Sequence, residues 1–298
     1  MAMKPVVVGV DGSEESLRAV EWAASAARRY GAPLRIVSAP AMPPRMHGPL
    51  GAAQTVSKIL TDMSTRALSE ALTRATEIAP GLLADTDLLT GPPALAVTDS
   101  GAGAKLLVVG ARGVGGFAAM LLGSVSRYAA MHATCPVVVV REETGAVHRE
   151  VVVGVRDWHD SESTLGFAFD EAARRGATLV VVHCWFWLPS PLRGPSRLEE
   201  ATGQPENAEH ITAGISERLT ADLAAWQEKY PQVPIRKDIV RGHPARILAS
   251  YSARADLVVL GRNGAAHAPG PIGGVQHAVL SHAHGPVAVI PGEGGPAL

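Results

Sequence analysis

Short runs dominated by valine and leucine recur along the chain, separated by longer stretches whose apolar residues follow a helical period. That alternation predicts parallel strands buried on both faces, with helices covering each side of the sheet. In the first half the strands are expected near 5–10, 33–38, 84–89, 105–110 and 136–141, with helices between them. The first helix is expected to start near Ser13, a capping residue. It should turn Leu17, Val20, Ala24 and Ala27 toward the core and end at Arg28, Arg29 and Gly31, where basic side chains suit the helix dipole. Segments 39–54 and 185–208 are rich in proline and glycine and show no clear period. Both are expected as long loops after a second strand, either functional or simple tethers.

The pattern occurs twice. PVVVGVDGS from Pro5 resembles EVVVGVRDW from Glu150, and AARRYGAPL ending at Leu34 resembles AARRGATL ending at Leu179, each shifted by 145. TGPPA around Gly91 matches RGHPA around Gly242, AKLLVVG ending at Gly110 matches ADLVVLG ending at Gly261, and CPVVVV from Cys135 matches GPVAVI from Gly285, at shifts of 151, 151 and 150. Five blocks in one order at a near-constant offset mark a duplicated unit. The expected architecture is α/β, with two tandem doubly wound domains over 1–144 and 149–298, each built on a five-stranded parallel sheet.

Composition narrows the partners. The 298 residues are 47% hydrophobic and 18% charged, as in folded globular proteins. The 27 basic and 28 acidic residues nearly cancel and form no basic block, so no nucleic-acid partner is expected. Two cysteines, Cys135 and Cys184, build no disulfide framework, which fits free thiols in a reducing compartment. No export signal opens the chain and no apolar stretch reaches the ~20 residues of a membrane helix, so a cytoplasmic protein without membrane contact is expected.

The candidate chemistry lies after the strand ending at Val109. Gly110, Ala111, Arg112, Gly113, Val114, Gly115 and Gly116 lead to Gly123, Ser124, Val125 and Ser126, a G-x2-G-x9-G-S run. A strand, a glycine-rich loop and a helix start together suit phosphate, because glycines let backbone N–H groups approach oxygens and a helix N-terminus favours anions. Ser124 and Ser126 add hydroxyls. The carboxyl end of a parallel sheet is also where ligands bind in such folds. Neither the GK[ST] pattern nor G-x-G-x-x-G after a first strand is present. The bland alternative is a glycine turn with Ser124 as a helix cap.

At these residues the chain resembles the universal stress protein family in its tandem, ATP-binding form. The resemblance rests on VVVGVDGS, on the G-x2-G-x9-G-S run and on CPVVVV, and covers nearly the whole chain. It implies adenine-nucleotide-binding, HUP-like domains, ATP as the ligand with Mg2+ as a candidate companion, a homodimer, and a role in stress or dormancy. It further implies that Asp11 contacts the adenosine portion and that Gly9 and Val37 line the nucleoside pocket. Gly110 to Gly113 and Gly123 to Ser126 would surround ribose and phosphates. Asp11 can alternatively cap the first helix together with Ser13.

The second unit departs from this pattern. Gly154, Gly261, Gly264 and Gly274 keep their places, but Val275 stands where the hydroxyl belongs and Arg156 where Asp11 stands. Pro269 and Pro271 remove N–H donors from the loop. ATP is therefore expected in the first unit, and a structural or altered role in the second.

Other constellations are weaker. His277, His282 and His284 do not share one helical face, and surface roles are expected rather than a metal site. Trp185, Phe186 and Trp187 are open between stacking on a base and packing under a loop or at an interface. Cys135 reads as a buried apolar residue. No catalytic constellation can be assembled. The leading expectation is a nucleotide-dependent regulator without turnover. A slow ATPase or other adenine-nucleotide enzyme, and a dimeric interaction module using CPVVVV and GPVAVI, remain as alternatives.

Overall fold

The computed structural model describes residues 3–42, 50–114, 121–141, 147–156, 162–185, 208–262 and 273–292. The first unit runs β1 (Val6–Gly9), α1 (Glu14–Tyr30), β2 (Leu34–Ser38), α2 (Leu50–Ile78), β3 (Ala84–Leu88), α3 (Pro93–Ser100), β4 (Leu106–Gly110), α4 (Ser124–His132) and β5 (Val137–Val140). The second runs β6 (Glu150–Val155), α5 (Glu162–Arg175), β7 (Thr178–Trp185), α6 (Ala208–Lys229), β8 (Ile235–Arg241), α7 (Pro244–Tyr251), β9 (Leu257–Gly261), α8 (Gly274–His282) and β10 (Val287–Ile290). Every strand expected in the first unit is present within one residue at each end.

The first helix follows its local signals. Ser13 accepts from the Ser16 N–H at 3.2 Å, Glu14 and Glu15 sit at the positive end of the dipole, and Arg28 and Arg29 at the negative end. Gly31 closes it at φ 60°, a conformation that glycine adopts without strain. Leu17, Val20, Ala24 and Ala27 are all buried.

One expectation fails in part. The span 39–54 is not loop throughout, since α2 starts at Leu50. Gly51 and the prolines at 40, 43, 44 and 49 give this span the composition of a loop although a helix begins within it. In the second unit Trp185 ends β7 and Ala208 opens α6, while 186–207, with Phe186 and Trp187, lie outside the described residues.

All ten strands form one sheet, ordered β3-β2-β1-β4-β5-β10-β9-β6-β7-β8. Each unit's five strands are parallel, and the units join where β5 and β10 pair antiparallel, Val139 opposite Val287 and Val137 opposite Val289. Both strands are wholly buried, which explains their unbroken apolar sequence. The two segments weighed as dimerisation strands are thus partners within one chain.

Helices α1, α2, α5 and α6 cover one face, and α3, α4, α7 and α8 the other. Each layer encloses one core that runs across the unit boundary. Arginines stitch the seam at its ends. Arg262 donates to the carbonyls of Met131 (3.0 Å) and Ala133 (2.7 Å) at the end of α4, and Arg141 donates to the carbonyl of Leu280 (3.0 Å) in α8. Positive charge there opposes the negative ends of the two helix dipoles.

Across the other face, α1 meets α5 through a buried carboxylate. Glu171, fully buried, accepts from the Tyr30 hydroxyl and from Arg175 Nε at 2.8 Å. Trp22 lies between the guanidinium groups of Arg29 (5.8 Å) and Arg175 (5.5 Å), a cation–π arrangement. Burial and the neighbouring Arg175 push Arg29 down to about 10, while burial and Glu171 push Tyr30 well above the usual tyrosine range. The connection between units is anchored by Asp256, whose carboxylate accepts from the N–H groups of His148 (2.8 Å) and Arg149 (3.0 Å). Arg149 has φ 56°, rare for a residue with a side chain, and these two bonds hold it there.

Candidate functional site

The topological switch of the first unit lies between β2-β1 and β4-β5, and the candidate loop follows β4 at that point. Gly12, at φ 84°, turns the chain after β1 so that Asp11 projects over the loop. Asp11 Oδ1 accepts from the Ser13 N–H (3.1 Å) and hydroxyl (2.6 Å), and Oδ2 accepts from the Val114 N–H (2.9 Å). Asp11 is therefore more than a helix cap, because it ties the strand end to the glycine loop. Gly113 makes that tie possible, since a Cβ there would lie 2.0 Å from Asp11 Oδ2.

The loop's root is fixed by backbone. Ala111 N–H donates to the Val140 carbonyl and Gly123 N–H to the Ala111 carbonyl, both at 2.8 Å. Gly110 lets the first turn of α1 press on β4, a Cβ there lying 2.8 Å from the Glu15 carbonyl oxygen. Ser124 opens α4 and is exposed, and no side chain caps this helix start. Its first N–H groups thus lack intrahelical acceptors and point the positive end of the dipole toward the loop.

Other candidates have different surroundings. The Ser126 hydroxyl is buried and donates to the Ala111 carbonyl at 3.0 Å, so it braces the loop. Val37 is fully buried in the core under α3 and α4, and Val125 packs against that core. Gly9 admits α3, a Cβ there lying 2.8 Å from Val97 Cγ1. Arg112 pairs with Glu15 at 3.1 Å. Gly115 and Gly116 lie outside the described residues.

In the second unit Gly154 admits Leu248 of α7, with a Cβ distance of 2.9 Å, and Gly261 faces Thr164 at 2.9 Å. Gly274 starts α8, and Gln276 donates to the Gly261 carbonyl at 2.8 Å, placing a side chain across the strand end. Arg156 is exposed, and Gly264 lies outside the described residues. Cys135 is buried, Cys184 half-buried, and burial pushes both thiols up to about 11. Among the described residues no group of three His, Cys, Asp or Glu side chains is placed to hold a metal ion, and no helix is long and apolar enough to cross a membrane.

A profile of the universal stress protein family matches residues 3–141 and again 148–291. The chain belongs to the universal stress protein family. A universal stress protein of Mycobacterium tuberculosis is 34% identical over 292 residues, spanning 95% of this chain and 96% of its own. Another, from Mycolicibacterium smegmatis, is 34% identical over 296 residues, spanning 96% of each. The crystal structure of a universal stress protein from Archaeoglobus fulgidus superposes with a TM-score of 0.71 over 98% of both chains at 16% identity, a likeness of fold. This tandem universal stress protein thus carries the family's unit twice. In its first copy a strand-end carboxylate is joined to the loop, Asp11 to Val114.

The residues that bind the units together, Tyr30, Glu171, Arg141 and Arg262, escaped the reading of motifs. A signal existed. Tyr30 is the extra residue of AARRYGAPL against AARRGATL, Glu171 stands in DEAARR where the first unit reads ASAARR, and Arg262 replaces Ala111.

Proposed function

We propose that the first unit binds ATP at the loop after β4 and that its occupancy sets the protein's shape or choice of partner in a stress response. The observation that carries this is the bond from Val114 N–H to Asp11 across a loop ending at an uncapped helix start. A carboxylate can exchange the Val114 and Ser13 donors for ribose or adenine donors, while the N–H groups of α4 take the phosphates. The residues present fit a nucleotide. Among the described residues Asp11 and Glu15 are the carboxylates seen to reach this loop, and Glu15 is paired with Arg112, so Mg2+ would be held mainly by phosphate oxygens and water, its usual habit.

The second unit is proposed to serve structure, because Gln276 crosses its strand end and Val275 offers no hydroxyl. Titration calorimetry with ATP tests both statements. One site per chain is expected, weakened at least tenfold by Asp11→Ala and several-fold by Ser124→Ala. Wild-type affinity in both variants would overturn the assignment, and two equal sites would overturn the asymmetry. Turnover of ATP abolished by Asp11→Ala would favour an enzyme instead.

A further inference from the structure

We propose that the cleft between the first unit's loop and the end of α8 is a binding site for a phosphate group, built only when the two units pair. The cleft has a volume of about 180 Å³. Arg18 of α1, Arg112 after β4 and Arg141 after β5 line it from the first unit, and His282 and His284 from the second. Glu15 is the one carboxylate among its described lining residues, and it is already paired with Arg112. Among the described lining residues Arg18 and Arg112 therefore meet one carboxylate, beside Arg141 and the two histidines.

The arginines differ in how they are held. Arg141 is fixed by donating to the carbonyls of Leu280 in α8 and Leu121 at the far end of the glycine loop. Arg112 is steadied by Glu15. Arg18 has no hydrogen-bond or ion-pair partner among the described residues, although it lines a concave polar cleft with other cations. Like charges held close together raise the free energy of the protein, and a tetrahedral anion relieves that repulsion. Guanidinium forks match phosphate oxygens in geometry, and the confined space favours a small anion.

Ala111 and Arg112 belong both to this cleft and to the nucleotide loop. The phosphate can therefore be the terminal group of ATP held by the first unit, or a free anion. Only the first source rests on the function proposed above.

The test is calorimetry on the full chain with inorganic phosphate, ATP and AMP, for wild type and Arg18→Gln, with His282→Gln as a second variant. Arg18 has no partner among the described residues, so Arg18→Gln should keep the wild-type melting temperature and weaken inorganic phosphate roughly three- to tenfold. If the phosphate is the nucleotide's own, phosphate competes with ATP, and Arg18→Gln lowers ATP affinity by the same factor while AMP is unchanged. If it is free, phosphate and ATP bind together and the variant leaves ATP untouched. Should ATP and AMP fail to bind, the nucleotide reading falls and the phosphate titration still decides this one. Unchanged phosphate affinity and an unchanged ATP-to-AMP ratio in both variants, or no phosphate binding at all, would overturn the proposal. A carboxylate of the chain filling the cleft would give that result.

Discussion

Replacing Glu171 by alanine removes the acceptor shared by Tyr30 of one unit and Arg175 of the other. Glu171 is fully buried and the Arg175 side chain is 12% exposed, so water cannot readily take its place. Among the described residues Arg29 Nε and Arg175 Nη2 already lack hydrogen-bond partners, so the remaining cations have no alternative acceptor there. Deleting one partner of such a buried pair costs about 3–5 kcal/mol. The cores run across both units, so the chain should unfold as one body, and at ~2 °C per kcal/mol for a chain of this size the loss is about 6–10 °C in Tm. Urea unfolding followed by circular dichroism and tryptophan fluorescence measures it, with Trp22 between Arg29 and Arg175 as a local reporter. The combined Tyr30→Phe, Glu171→Leu, Arg175→Met variant removes donors and acceptor together and should return to within about 2 kcal/mol of wild type. A cost below ~1 kcal/mol for Glu171→Ala, or a combined variant as unstable as the single one, would refute this account.

Further expectations concern the connection, the thiols and the loop. Asp256→Ala deprives His148 and Arg149 of their acceptor and should lower stability by about 1–2 kcal/mol in urea unfolding, with Arg149→Gly partly restoring it by relieving the positive φ. Burial pushes Cys135 and Cys184 up to about 11, so the folded thiols hold their protons more tightly than unfolded ones. The stability this contributes is complete below the ordinary thiol value near 9 and is lost as pH rises through 11, with Tyr30 acting in the same direction and Arg29, pushed down to about 10, in the opposite one. Tm should therefore fall between pH 8.5 and 11, and iodoacetamide at pH 7.5 should leave Cys135 unlabelled until the chain unfolds. Gly113→Ala should displace Asp11 and release the Val114 N–H, seen as faster amide exchange there with little change in Tm.

The strands were legible because each is a short apolar run bounded by turn residues, and α1 because its cap, its apolar face and its closing glycine agree with one another. The start of α2 was hidden because Gly51 and the prolines at 40, 43, 44 and 49 give the span the composition of a loop. At the candidate site, spacing located the loop but could not tell which glycines face a ligand. Gly9 and Gly154 admit helices, and only coordinates show Val97 and Leu248 pressed against them. The reading of Ser126 as an open donor overlooked a carbonyl 15 positions earlier, brought within reach by the loop's return. The antiparallel seam was beyond reach altogether, because parallel and antiparallel pairing look alike in an all-valine strand buried on both faces.

The seam has a consequence for inheritance. In a symmetric dimer of separate subunits, one gene writes both sides of the central strand pair, and a substitution good for one side is imposed on the other. Here β5 and β10 occupy different stretches of one gene, so each side mutates alone. An arginine could arise at position 262 without appearing at 111, and an acid in α5 without a matching acid in α1. Joining the two copies in one chain thus lets each diverge without dragging the other with it.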